Sequence, residues 1–160
     1  MSRSRPRQPR RGAPADGPPV GPHRPSAVLV DVDGTIALTG DRDPYDESTV
    51  SADLPNAGII AIVRALHRDG HRIVVISGRT EAARADTTLW LERHLGVPID
   101  ALHLRAVGDR RPDVVVKKLV FRHHIERRYR VLCVLEDRSR VVEMWRDLHL
   151  TCLQVAPGDF

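Results

Sequence analysis

The sequence predicts an α/β fold of three layers, with helices on both faces of a central parallel five-stranded sheet. Three observations predict it. Short apolar runs without polar alternation recur along the chain, as strands buried on both faces require. Amphipathic stretches at helical spacing separate them, so each link is long enough to cross over rather than turn back. The 160 residues, 41% hydrophobic and 29% charged, make one domain of ordinary globular composition.

The elements follow in order. AVLVDV (27–32) is the first strand, and a loop rich in Gly, Asp and Pro leads from it to about Leu54. Residues 56–69 place Ile59, Ile60, Ile62, Val63 and Leu66 on one helical face, with Gly70 as a stop. HRIVVIS (71–77) is the second strand. A helix over 80–95 ends at Gly96 and Pro98, and ALHL (101–104) is the third strand. A helix over 113–128, a strand over 131–136, a helix over 140–149 and a strand over 151–155 complete the series. This is a Rossmann-like sandwich, in which ligands bind beyond the carboxyl ends of the central strands.

Residues 1–25 are different. They hold six arginines against Asp16 alone, a net charge of +5, and seven prolines. With almost no apolar side chains they cannot offset chain entropy, so a disordered Arg/Pro-rich tail is expected, and residues 26–160 form the folded domain. The whole chain carries +4, so the folded part is close to neutral, and the basicity belongs to the tail. Such a tail is either a tether to a polyanion or a solubilising extension. No apolar run reaches about 18 residues, and the N-terminus lacks the apolar core of a secretory signal, so a cytoplasmic protein without a membrane partner is expected. Cys133 and Cys152 lie in apolar strand runs and read as small hydrophobes rather than a disulfide or zinc ligands.

The strand ends carry the chemistry. The first ends in Asp31-Val32-Asp33-Gly34-Thr35, the second in Ser77-Gly78-Arg79 and the fourth in Glu136-Asp137-Arg138, while Lys117 lies early in the preceding helix. Asp31 and Asp33 point the same way if the strand pitch persists, and diverge if it breaks at Gly34. Clustered carboxylates repel one another unless a cation joins them, and hard oxygen ligands favour Mg²⁺. A carboxylate there can attack phosphorus, a second can exchange protons with the leaving oxygen and water, and a hydroxyl and a lysine can offset phosphoryl charge.

DVDGT, Ser77, Lys117 and Glu136-Asp137 resemble the four motifs of the haloacid dehalogenase-like phosphatases. The resemblance implies Asp31 as nucleophile and Asp33 as general acid/base, with Ser77 and Lys117 on the phosphate. It implies Mg²⁺ held by Asp31, Asp33 through its backbone carbonyl, Asp137 and, in the place of a family aspartate, Glu136. Longer strings, GDRDPYDES (40–48), GDRRPDVVVKK (108–118), EDRSRVVEMWR (136–146) and QVAPGDF (154–160), resemble the phosphatase domain of bacteriophage polynucleotide kinase/phosphatase. That likeness implies removal of 3′-phosphates from DNA or RNA ends, with Thr35, Arg42, Gly78 and Arg79 binding substrate and Asp113 orienting Lys117. No Gly-x-x-x-x-Gly-Lys-Ser/Thr loop is present, so no 5′-kinase activity is expected.

Residues 36–55 are too few for a separate cap domain, so an open site is expected. An open site suits a polymer end. It also suits a nucleotide or a phosphoprotein, which is the alternative substrate reading, and leaves open whether the chain forms a homodimer. A non-catalytic nucleic-acid-binding module is disfavoured because the set from Asp31 to Asp137 is intact. Trp90, Tyr129 and Trp145 read as core, His123 and His124 as solvated, and Tyr45 as the better candidate for touching a nucleotide. The sequence does not decide whether Arg110 and Arg111 line a strand path.

Overall fold

The computed structural model describes residues 24–40 and 47–158; the tail through residue 23, Arg42 and Tyr45 lie outside them. The elements in chain order are β1 (Ser26–Val30), β2 (Ala37–Leu38), β3 (Leu54–Pro55), α1 (Ala57–Arg68), β4 (Arg72–Thr80) and α2 (Arg84–Leu95). They continue with β5 (Ala101–Arg105), α3 (Asp113–Val120), β6 (Arg130–Glu136), α4 (Ser139–Asp147) and β7 (Cys152–Gln154). The main sheet has five parallel strands in the order β5-β4-β1-β6-β7. The chain moves outward from β1 on one side and then returns to its other side. That reversal opens a crevice at the carboxyl ends of β1, β4 and β6, where a ligand site is expected.

The strands bury both faces, and alternate residues feed two cores. Val28, Val30, Ile73 and Val75 pack with Ile60 and Val63 of α1 and with Trp90, Leu91 and Leu95 of α2. Ala27, Leu29, Val74 and Ile76 pack on the other face with Val141, Val142, Met144 and Trp145 of α4 and with Phe121 and Ile125. The two tryptophans and the two free cysteines are all buried, as their apolar settings predict. Tyr129 is half-buried against the second of these cores, and its hydroxyl reaches Asp100 Oδ2 at 3.3 Å at the surface. The ends of the helices also follow the sequence signals. Asn56 caps α1 through its side chain, and Gly96 closes α2 at a φ of 69°, which glycine adopts without a Cβ penalty.

Four details differ from the sequence expectations. The first strand stops at Val30, two residues short, because the backbone turns at Asp31. The second runs through Ser77 to Thr80, with a register shift against β5 between Ile76 and Thr80. The helix expected over 113–128 is α-helical to Val120 and then widens to a π turn over Phe121–Ile125. The predicted tail gives way to the fold two residues early: Pro25 O accepts from Arg130 N at 2.9 Å, and Arg24 donates to Glu126 O at 2.7 Å. Between Ile36 and Asn56 the described residues supply only the β2–β3 pair and a 3₁₀ turn over Glu47–Ala52. The described residues of that interval form no cap domain. No described helix is long and apolar enough to cross a membrane.

Candidate active site

Asp31 is the first residue beyond β1, and its N–H still donates to Leu135 O at 3.0 Å, so it stays in line with β6. The chain then curls. The N–H groups of Thr35, Ile36 and Ala37 all converge on Val32 O, at 3.2, 3.0 and 2.9 Å. This turn settles the alternative the sequence left open: the two acids diverge. Gly34, at the centre of the turn, has a φ of 80°, and a Cβ there would lie 2.1 Å from Asp137 Oδ2. Only glycine lets the ends of β1 and β6 approach this closely.

Asp31 faces a buried lysine. Lys117 Nζ donates to Asp31 Oδ1 at 2.6 Å and to Glu136 Oε2 at 2.8 Å, with Asp113 Oδ2 at 3.7 Å. Lys117 reaches them because it stands one turn into α3, four residues after Asp113, and is buried. Burial alone would lower its pKa, but Asp31, Glu136 and Asp113 together hold it well above the usual lysine value. Burial acts on the acids in the opposite sense. Burial, then Glu136, raises Asp31 to about 8 against the pull of Lys117. Burial also raises Glu136 and Asp137. Asp113 goes the other way: burial would raise it, but Lys117, Arg138 and Arg105 lower it. Arg105 and Arg138 bind its two oxygens at 2.9 and 3.4 Å, which fixes the carboxylate within reach of Lys117.

Asp33 faces a buried arginine instead. Arg79 donates Nε to both Asp33 oxygens at 3.2 and 3.0 Å, and a terminal nitrogen to Oδ1 at 2.8 Å. The same terminal nitrogen reaches Asp53 Oδ2 at 2.7 Å, and the other reaches Thr87 Oγ1 at 3.2 Å. Ser77 Oγ lies 3.4 Å from Asp33 Oδ2 and accepts from Arg79 N at 3.2 Å. Its position in the irregular part of β4 brings a buried hydroxyl to Asp33. The Arg79 guanidinium, expected on substrate, is buried and has all three nitrogens engaged by protein. Its immediate effect is on Asp33.

Asp31, Glu136 and Asp137 each offer one carboxylate oxygen, all within 4.8 Å of one another. The Asp33 carboxylate is directed to Arg79 and Ser77, because the turn at Gly34 carries it away from that set; the ligand expected from Asp33 is its backbone carbonyl. Burial first, and then repulsion among the neighbouring acids, displaces all three upward in spite of Lys117. A hard divalent cation fits that donor set. Behind it, Gln154 Nε2 donates to Asp137 O at 2.8 Å, and Thr35 Oγ1 lies 3.5 Å from Asp137 Oδ1. Thr35 is fully buried and Gly78 is hemmed in by Asp113, 2.8 Å from where a Cβ would stand, so both shape the site from within.

A cavity of about 630 Å³ opens over these groups. Asp31, Asp33, Arg79, Lys117 and Asp137 line its floor, and the exposed Arg110, Arg111 and Arg140 stand on its rim. Sequence reasoning missed Asp53, Thr87, Arg105 and Glu47, the last of which accepts from Thr80 N at 2.6 Å. None carries a local signature: Asp53 and Glu47 act on residues far away in sequence, and Thr87 and Arg105 on partners eight residues away across a break in the secondary structure.

Residues 25–160 match the family described as the polynucleotide kinase PNKP phosphatase domain. A protein of Autographa californica nuclear polyhedrosis virus named "Putative bifunctional polynucleotide kinase/RNA ligase" is 35% identical over 134 residues, 82% of this chain and 19% of that protein. A chain in the structure of the Pnkp1/Rnl/Hen1 RNA repair complex superposes with a TM-score of 0.82 at 39% identity, covering 85% of this chain and 44% of that one. The class C acid phosphatase from Bacillus anthracis, solved with tungstate bound, shares the fold at a TM-score of 0.57 and 17% identity, covering 87% of this chain and 69% of that one. This chain thus spans about a fifth of the viral relative and under half of the repair-complex chain. On the match over residues 25–160, the chain belongs to the polynucleotide kinase PNKP phosphatase domain family and is a phosphatase on a haloacid dehalogenase-like α/β fold.

Proposed function

We propose that this chain is a Mg²⁺-dependent polynucleotide 3′-phosphatase that works through an aspartyl-phosphate on Asp31, in nucleic-acid end repair. The observation that carries the reading is the division of the two acids, Asp31 against Lys117 and Asp33 against Arg79, within this family match. RNA ends are the favoured substrate, since the relatives are named for RNA ligase activity and for an RNA repair complex.

Asp31 and Asp137, with Glu136 and the Asp33 backbone carbonyl, would hold Mg²⁺, and the bound ion supplies positive charge to the phosphoryl oxygens. An Asp31 carboxylate oxygen forms a bond to phosphorus as the bond from phosphorus to the 3′-oxygen breaks. Asp33 gives its proton to that departing oxygen. It then takes a proton from a water whose oxygen attacks phosphorus, the bond to Asp31 breaks, and inorganic phosphate leaves. Ser77 and Lys117 offset charge on the transferring group. Thr35 and Gly78 shape the substrate pocket, as Arg42 does by resemblance. Arg79 contributes to substrate binding by keeping Asp33 facing the cavity.

The test compares phosphate release from a 3′-phosphorylated oligonucleotide, the same oligonucleotide phosphorylated at its 5′ end, and a nucleoside 5′-monophosphate, each with Mg²⁺ and with chelator. Mg²⁺-dependent release from the 3′ end is expected. Release mainly from the mononucleotide, or equal release with chelator, contradicts the proposal.

A further inference from the structure

The cations that line the cavity are almost all committed to protein acids or carbonyls. Lys117 is held by Asp31 and Glu136, Arg79 by Asp33 and Asp53, Arg138 by Asp113, and Arg111 by Asp109. Arg105 donates to Gly78 O at 3.1 Å, Arg111 O at 2.5 Å and Asp113. Arg110 and Arg140 line the same cavity, are exposed, and have no ion pair or hydrogen bond among the described residues. They come from two separate segments, the loop before α3 and the first turn of α4, and meet at one opening. Behind them the floor is acidic. An anionic substrate therefore meets these two guanidinium groups before it meets Asp31, Glu136 and Asp137.

We infer that Arg110 and Arg140 form a binding site for the phosphodiester that precedes the terminal phosphate of a polynucleotide. This deepens the 3′-phosphatase reading and rests on it. The terminal phosphate belongs on the cavity floor with Lys117. A polynucleotide end carries its next negative charge on the adjoining phosphodiester, and a free nucleoside 3′-monophosphate has none. Arginine suits that task, since its planar fork binds phosphate oxygens in pairs. Arg110 and Arg140 thereby distinguish a polymer end from a mononucleotide that presents the same scissile bond.

The test measures kcat and KM on a 3′-phosphorylated oligonucleotide and on a nucleoside 3′-monophosphate, over a series of salt concentrations. The enzymes are the full chain, R110A/R140A and R110K/R140K. In R110A/R140A the preference for the oligonucleotide, as a ratio of kcat/KM, is expected to fall about tenfold, mainly through KM. The slope of log KM against log salt should drop by about 0.7 for each arginine removed, the value for single strands. The lysine variant keeps the charge and should retain most of that slope. An unchanged preference and slope in R110A/R140A overturns the inference while the 3′-phosphatase reading stands. A wild-type chain that releases no phosphate from the oligonucleotide defeats that reading instead.

Discussion

Two aspartates two residues apart live in different electrostatic settings, and the difference assigns their work. Asp31 shares one point charge, Lys117, with Glu136 in a buried cluster that also contains Asp137. Asp33 keeps about a quarter of its side chain exposed and is gripped through both oxygens by a guanidinium that is itself anchored at Asp53 and Thr87. A lysine neutralises without fixing orientation, whereas an arginine fork sets the plane of a carboxylate. The first setting suits a group that forms a bond to phosphorus beside a cation. The second suits a group that exchanges protons along one direction. Acids placed in contrasting environments are the general means by which one fold runs two roles.

The comparison breaks most completely at Asp31. Asp31→Asn removes the nucleophile with little change of volume and relieves crowding among the acids. Turnover should fall by at least about 10⁴-fold while circular dichroism and the melting temperature show an intact fold. Asp33→Asn should lower kcat by about 10²–10⁴-fold on an oligonucleotide 3′-phosphate. On p-nitrophenyl phosphate, whose leaving group needs no proton, the first transfer to Asp31 should be nearly spared, while turnover still falls because water lacks its base.

Lys117→Met tests the buried cluster through stability. It strands Asp31 and Glu136, which both accept from Lys117, and the expected loss is about 3–5 kcal/mol in denaturant unfolding without metal. A variant as stable as the parent would show that Lys117 does not balance the cluster. Asp53→Asn tests the other side. Loss of one charged hydrogen bond to Arg79 should lower kcat about tenfold on the oligonucleotide with KM unchanged, and Asp53→Glu should restore part of it. An equal fall in the rate of the first transfer from p-nitrophenyl phosphate, read as its burst, would show that the residue acts on folding and not through Asp33.

Much of this was legible in the sequence, and the legible part has a common cause. The five strands announce themselves because burial on both faces forces uninterrupted apolar runs such as Val28–Val30 and Ile73–Ile76. The strand-end acids, Ser77 and Lys117 stand where a parallel sheet delivers them. What was hidden depends on partners distant in sequence. The two-residue strands β2 and β3 are too short for a pattern, and nothing local marks Asp53 or Thr87 as partners of Arg79. The divergence of Asp31 and Asp33 follows from a turn closed on Val32 O, and the apolar run gives no hint of it. The longer reach of β4 depends on pairing of Thr80 with Arg105 across the sheet.

The smallest effect belongs to the basic segment outside the described residues. Removing residues 1–23 spares Arg24 and Pro25, which are bonded to the fold. If the segment tethers a polyanion, oligonucleotide KM should rise a few-fold, with a flatter salt dependence and little change on p-nitrophenyl phosphate. Unchanged values would assign it to solubility.

The most direct test of the divided roles is a rapid-mix measurement of p-nitrophenolate release by Asp33→Asn with Mg²⁺. The account predicts a burst equal to the enzyme concentration, as Asp31 takes the phosphoryl group, followed by slow turnover because no base activates water. Asp31→Asn should show no burst. A burst that survives in Asp31→Asn, or steady release without a burst in Asp33→Asn at an undiminished rate, would contradict the assignment of nucleophile and acid/base.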